Sequence, residues 1–293
     1  MKAKIAELSR LRAQQPGLVA QILEKRVRRS VIGGDEKLFI IAADHPARGA
    51  LSAGSDPWAM ADRHVLLERL AIALSNPRVD GVLGTSDIID DLALLGLLDN
   101  KIVVGSMNRG GIKGASFEMD DRFTGYDIAG IKKSGLDFAK TLLRINLQDA
   151  GTAATLEATT RAVNEAAAAQ IPIMLEPFMS QWENGAIKNQ LTTEANILSI
   201  SIAAGLGNSS AYTWLKIPVV PNMARVMQST TLPTLLLGGE VANDQSATFG
   251  SWESALALPG VRGMVVGRSL LFPTDGDVAS GIETAVTLVH GIR

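Results

Sequence analysis

The chain has 293 residues, with 28 Lys+Arg against 30 Asp+Glu and a formal net charge of −2. Apolar residues make up 46% and cysteine is absent, which argues against disorder and excludes disulfide scaffolds, Cys-ligated zinc, iron–sulfur clusters and thiol catalysis. The near-neutral balance gives no global attraction to nucleic acid or to an acidic membrane, so neither is an expected partner.

Two helical segments open the chain and break at Pro16-Gly17. The first 33 residues hold eight basic and two acidic side chains, leaving 20 basic and 28 acidic in the remainder. The cluster Lys25, Arg26, Arg28, Arg29 reads as the solvated face of an amphipathic helix, or as a contact with the acidic body of a neighbouring subunit, ahead of a nucleic-acid or transit-peptide reading. The N-terminus lacks the continuous apolar stretch of a secretory signal. The longest uncharged stretch, about 195–215, is punctuated by Asn196, Ser199, Ser201, Asn208, Ser209 and Ser210 and suits a buried helix plus loop rather than a bilayer span. A cytoplasmic homo-oligomer is the expectation.

After Gly33-Gly34 short β-rich apolar runs appear, each followed by a helix-length amphipathic stretch. The runs are Leu38–Ala42, Gly81–Leu83, Ile102–Gly105, Phe138–Ile145, Ile171–Leu175, Tyr212–Ile217, Thr234–Leu237 and Gly263–Val266. Continuous apolar runs suit parallel strands buried on both faces. Eight of them, alternating with helices, predict an α/β protein: a (β/α)8 TIM barrel over residues 34–293, preceded by a helical extension over 1–33. A doubly wound sheet is the weaker alternative, since no GxGxxG follows the first run.

A barrel places catalytic groups at the carboxyl ends of its strands, and a phosphate often binds after the seventh and eighth. Lys216 lies between Leu215 and Ile217 in the sixth run; burial favours the neutral, nucleophilic amine. Lys140, Leu142 and Arg144 share one face of the fourth run, and Lys140 supplies a second cation able to depress Lys216. Glu176 ends the fifth run and suits proton transfer, or a counter-ion role for either lysine. Asp44 ends the first run as a hydroxyl ligand or salt-bridge partner, with His45 and Arg48 following. Gly238-Gly239 and Gly267-Arg268 end the last two runs and together favour an anion site. His45, His64 and His290 show no metal-ligand spacing, so no metal or cofactor is expected. The four tryptophans read as packing groups.

These residues resemble a known group. WLKIPVVPNM (Trp214–Met223) is similar to the Schiff-base strand of the class I aldolases related to tagatose-bisphosphate aldolase. RFTGYD (Arg122–Asp127), FAKTLLRINLQD (Phe138–Asp149), LEP (Leu175–Pro177), Gly238-Gly239 and VVGRSLLFP (Val265–Pro273) resemble that family in the same order. AADHPARG (Ala42–Gly49) resembles the first strand of the broader superfamily that includes deoxyribose-phosphate aldolase and the bacterial class I fructose-bisphosphate aldolases. The resemblance implies Lys216 as Schiff-base lysine, Glu176 as acid/base and main proton carrier, Lys140 and Asp44 lining the site, and Gly238, Gly239, Gly267 and Arg268 holding phosphate. Phe178 stands where the fructose-bisphosphate branch has a catalytic tyrosine, and Leu237-Gly238-Gly239 where the tagatose branch commonly has Ser-Ala-Gly.

The closest likeness is to a divergent subgroup associated with inositol catabolism. It implies 5-dehydro-2-deoxygluconate 6-phosphate as the sugar-phosphate substrate, cleaved to dihydroxyacetone phosphate and malonate semialdehyde. Arg48, Arg109 and Arg144 are candidate partners for a substrate carboxylate. A sugar-phosphate isomerase or epimerase using Glu176, and a non-catalytic phosphosugar-binding protein, are the alternatives.

Overall fold

The apolar runs form strands and the amphipathic stretches form helices in the computed structural model, which describes residues 1–108, 111–239, 241 and 245–291. In chain order, α1 (Lys2–Gln14) and α2 (Leu18–Lys25) precede β1 (Leu38–Ala42), α3 (Arg63–Ser75), β2 (Gly81–Gly84), α4 (Ser86–Leu94) and β3 (Ile102–Ser106). Then come α5 (Ile128–Lys133), β4 (Phe138–Ile145), α6 (Gly151–Ala169), β5 (Ile173–Glu183), β6 (Ala186–Asn189) and α7 (Thr193–Ala204). The chain continues through β7 (Thr213–Pro218), α8 (Met223–Met227), β8 (Thr234–Leu237), α9 (Gln245–Leu256), β9 (Val261–Val266), α10 (Arg268–Leu271) and α11 (Val278–His290). Side-chain caps start several helices where the sequence turns polar: Asp62 accepts from the Val65 amide, Asp127 from Gly130, Thr192 from Ala195 and Asp277 from Ser280.

The strands β1, β2, β3, β4, β5, β7, β8 and β9 pair in parallel in that order, and β9 returns to β1. This closed sheet is a (β/α)8 TIM barrel. Alternation along each strand sorts its side chains. Phe39, Ile41, Val82 and Val103 point outward into the core shared with the helices. Leu38, Ile40, Leu83, Ile102, Val104, Phe138, Met174, Leu235 and Val265 fill the interior. The interior is therefore a dry apolar plug, and the polar residues that follow it on the same faces are forced into one layer above it.

Residues after α2 cross the lower end of the barrel, where Val31 and Ile32 pack against the interior plug. Arg26 and Arg28 bind Asp137 at 2.9 and 2.8 Å, and Arg29 pairs with Asp80. These aspartates also accept strand amides: Asp80 from Phe39 at 2.7 Å and Asp137 from Val103 at 2.9 Å. Arg26, Arg28 and Arg29 are thus paired with acids of their own chain, while Lys25 and much of Arg28 remain exposed.

Two details depart from the sequence expectations. β5 does not stop near Leu175 but runs on past Pro177, and its outer part pairs antiparallel with β6, Ser180 opposite Asn189. Trp58 is exposed rather than packed. Among the described residues no helix is long and apolar enough to cross a membrane.

Candidate active site

The upper layer is built by strand periodicity. Lys140 follows Phe138 inward by two residues, Glu176 follows Met174, and Asp44 follows Ala42. Lys216 follows Trp214, itself stacked edge-on against Phe138 with ring centroids 5.4 Å apart. The four charged groups meet. Glu176 Oε1 lies 2.7 Å from Lys216 Nζ and Glu176 Oε2 lies 2.6 Å from Lys140 Nζ. Lys140 Nζ also reaches Asp44 Oδ2 at 3.0 Å, and Ser106 Oγ donates to the same oxygen at 3.0 Å. All four charged side chains are buried.

Burial above an apolar plug disfavours every charge in this layer, and the neighbours decide which charges persist. For Lys216, burial and the Lys140 ammonium outweigh Glu176 and Asp44 and lower its pKa. For Lys140, two carboxylates outweigh burial and raise it. Glu176 would be raised by burial but is pulled down to about 2 by the two lysines. Asp44 is likewise pulled well below the usual carboxylate range against the effect of burial, chiefly by Lys140. One lysine is therefore pinned as a cation while the other is pushed toward the free amine.

The layer forms the floor of a cavity of about 590 Å³. Asp44, Lys140, Glu176 and Lys216 line it, and so do Gly238, Gly239, Gly267 and Arg268 on the β8–β9 side and Arg48 and Arg144 on the wall. The structure thus gathers every one of these sequence candidates at the carboxyl end of the barrel. Arg109 lies outside the described residues. Gly238 has no room for a side chain, since a Cβ would stand 2.3 Å from Val266 Cγ1; Gly239 takes φ of 72°. Arg268 Nη1 contacts the Ser52 carbonyl at 3.4 Å.

Arg48 and Arg144 are less available than the sequence suggests. Arg48 donates to Asp121 at 2.7 Å and to the Asn108 carbonyl at 2.6 Å. Arg144 binds Glu118 Oε1 at 2.5 Å and the carbonyls of Glu118 and Gly111 at 2.9 and 3.1 Å. Both guanidinium groups tie the segment after β3 to the barrel wall.

Sequence reasoning passed over Ser106, whose inward position on β3 was readable from period two, and the β5–β6 arm, which brings Lys188 and Asn189 to the cavity mouth. His45 also lines the cavity; His64 is exposed on α3, and His290 sits at the lower end against Asp35 and Asp80. Among the described residues no group of three or more His, Cys, Asp or Glu is arranged to hold a metal ion.

A (β/α)8 barrel whose upper layer sets a buried, depressed lysine against a shared carboxylate defines the class of fold and site. The chain belongs to the Cgl0159-like family, whose model matches residues 36–286. It is 66% identical to Cgl0159 from Corynebacterium glutamicum, over 98% of this chain and 97% of that one, with a TM-score of 0.96. A Schiff-base-forming fructose-1,6-bisphosphate aldolase shares the fold at 17% identity, with a TM-score of 0.63 over 92% of this chain and 99% of that one. An archaeal fructose-1,6-bisphosphate aldolase with its catalytic lysine bound to a carbinolamine does so at 17% identity, with a TM-score of 0.66 over 93% and 100%. No curated protein matches the sequence.

Proposed function

We propose that the protein is a class I aldolase, a carbon–carbon lyase that cleaves a phosphorylated keto sugar or keto-sugar acid through a Schiff base on Lys216. The observation that carries this reading is the Lys216–Glu176–Lys140 contact: a buried amine, depressed by burial and by a pinned second cation, with a carboxylate oxygen 2.7 Å away. The fold shared with Schiff-base aldolases supports it.

In this mechanism Glu176 Oε1 takes a proton from Lys216, whose free amine attacks the substrate ketone. The same carboxyl returns a proton to the carbinolamine hydroxyl, water leaves, and the iminium forms. Its positive charge draws the electrons of the adjacent carbon–carbon bond into an enamine when that bond breaks. Protonation at carbon and hydrolysis release the ketone product and the free lysine. Lys140 stays charged and keeps Glu176 oriented. Backbone amides at Gly238, Gly239 and Gly267, with Arg268, hold the phosphate, which places the carbonyl within attack distance. Asp44 accepts from a substrate hydroxyl.

Within this reading the substrate is 5-dehydro-2-deoxygluconate 6-phosphate, giving dihydroxyacetone phosphate and malonate semialdehyde, its carboxylate lying against the edges of Arg48 and Arg144. The test is borohydride reduction in the presence of candidate keto-sugar phosphates, with mass spectrometry of the peptides. The adduct is expected on Lys216. Cleavage with no adduct at Lys216 overturns the mechanism, and loss of activity to a chelator would indicate a metal-dependent lyase instead.

A further inference from the structure

Aldol cleavage needs a group that takes the proton of the hydroxyl across the scissile bond, and a proton must later reach the enamine carbon. The carboxylates of the floor are poorly free for this. Glu176 faces the Lys216 nitrogen with one oxygen and the Lys140 ammonium with the other, and Asp44 Oδ2 is held by both Lys140 and Ser106. Phe178, on the cavity wall, has no proton to move.

His45 differs from all of them. It follows Asp44 at the top of β1 and lines the same cavity beside Arg268. Its ring lies over the end of β9, where Gly267 leaves room for it: a Cβ at that position would stand 3.0 Å from His45 Cε1. Nδ1 is buried with no hydrogen-bond partner among the described residues, and Asp44 Oδ1 is 3.9 Å away. Burial, with Arg268 and Lys216 and against Asp44 and Glu176, pushes the imidazole down to about 4. The ring is therefore neutral at neutral pH and able to accept a proton. An anion bound at Arg268 cancels one of the lowering influences and makes the ring a stronger base only when substrate is present.

We propose that His45 is a catalytic residue that carries the cleavage proton between the substrate hydroxyl and the enamine carbon. The inference rests on the aldolase reading above. Nε2, the ring nitrogen other than the buried Nδ1, takes the hydroxyl proton; the oxygen's electrons form the aldehyde C=O; the carbon–carbon pair becomes the enamine double bond, and the iminium nitrogen takes up its electrons. After the aldehyde leaves, the imidazolium gives that proton to the enamine carbon and is neutral again. Water then hydrolyses the iminium, so no other reactant is consumed. The hydroxyl and the enamine carbon are separated by the one atom that departs, so one group can serve both.

The experiment uses dihydroxyacetone phosphate, which forms the imine without any cleavage. Three readouts are compared in the wild-type protein and in His45→Gln and His45→Asn: borohydride trapping at Lys216, exchange of the ketone's C3 proton with solvent deuterium, and cleavage of the keto-sugar phosphate. Trapping in the variants is expected to match wild type, while exchange and cleavage each fall by about 10²–10⁴-fold, the usual worth of a general acid/base. A purely structural histidine would not separate trapping from exchange. Exchange and cleavage within threefold of wild type in either folded variant overturn the proposal, as does loss of trapping together with exchange. No trapping in the wild-type protein instead brings down the aldolase reading itself, and the proposal with it.

Discussion

At the lower end of the barrel Arg26 sets its guanidinium on Asp137 and on the carbonyls of Lys101 and Gly135, at 2.6–2.9 Å. At the upper end Lys216 and Lys140 set their ammonium groups on Glu176 at 2.7 and 2.6 Å. Both ends bury cations against carboxylates, and burial is equally deep. The difference lies in what the cation can do. Arginine does not give up its proton in a protein, and here the two terminal nitrogens of its planar fork are held by three fixed acceptors. Lysine loses its proton readily when desolvated, and here two lysines compete for one glutamate. The arginine pairs of the lower end are fixed at any ordinary pH, and the lysine pairs of the upper end are held close to proton transfer. Ion pairing alone thus says little about function; the identity of the cation and the number sharing each carboxylate say more.

The sharpest way to break this contrast is Lys216→Met. Turnover and the borohydride adduct are both expected to vanish, while the melting temperature stays near wild type because Lys140 still neutralises Glu176. Unfolding of this variant at ordinary temperature would mean that the upper pair is structural after all. Asp137→Ala is the opposite experiment. It leaves the buried Arg26 charge unpaired, which typically costs about 3–5 kcal/mol, read by denaturant unfolding, with trapping at Lys216 preserved in the folded fraction.

Lys140→Met sharpens the upper end. Lys140 lowers the Lys216 pKa, so its removal raises it. The free amine then exists only at higher pH, and the acid limb of the activity profile moves upward, about tenfold less amine for each pH unit at a fixed pH below the limb. An unmoved limb would show that burial alone tunes the nucleophile.

The smallest effect belongs to His290. Burial lowers its pKa, but Asp80 and Asp35 outweigh burial and raise it above the ordinary 6.5. The folded state binds this proton more tightly than the unfolded chain. Its stabilisation is therefore complete below pH 6.5 and is lost as pH rises through the raised value. His290→Gln should flatten the fall in unfolding free energy over that window and leave the slope elsewhere unchanged.

Much of this was legible from the chain. Leu38–Ala42, Phe138–Ile145 and Thr234–Leu237 match their strands residue for residue, because predominantly apolar runs of strand length suit the wall of a barrel. Period two put Lys140 and Arg144 on one face of the fourth run, and position within the fifth and sixth runs marked Glu176 and Lys216, all of which line the cavity. The β5–β6 arm was missed because Pro177 reads as a strand end. Yet Asn184-Gly185 was a fair signal: both residues take positive φ, 51° and 77°, as the tight turn of a hairpin requires. The commitments of Arg48 and Arg144 were not readable, since Asp121 and Glu118 are distant in sequence and show no pattern marking them as partners. Nor could sequence show that His45 Nδ1 is left without a partner, which depends on how β1 and β9 meet.

The closure of the lower end also has a consequence in time. The segment that seals it is made early in synthesis, but its anchors come late. Arg29 waits for an aspartate 51 residues on, Arg26 for one 111 residues on, and Asp35 for a histidine 255 residues on. A ribosome adds roughly 5–20 residues per second, so these arginines spend several seconds in water before a partner exists. Contacts of such span slow folding. The lower end of the barrel is a late closure, and the apolar plug beneath the reactive layer is covered only once that closure is made.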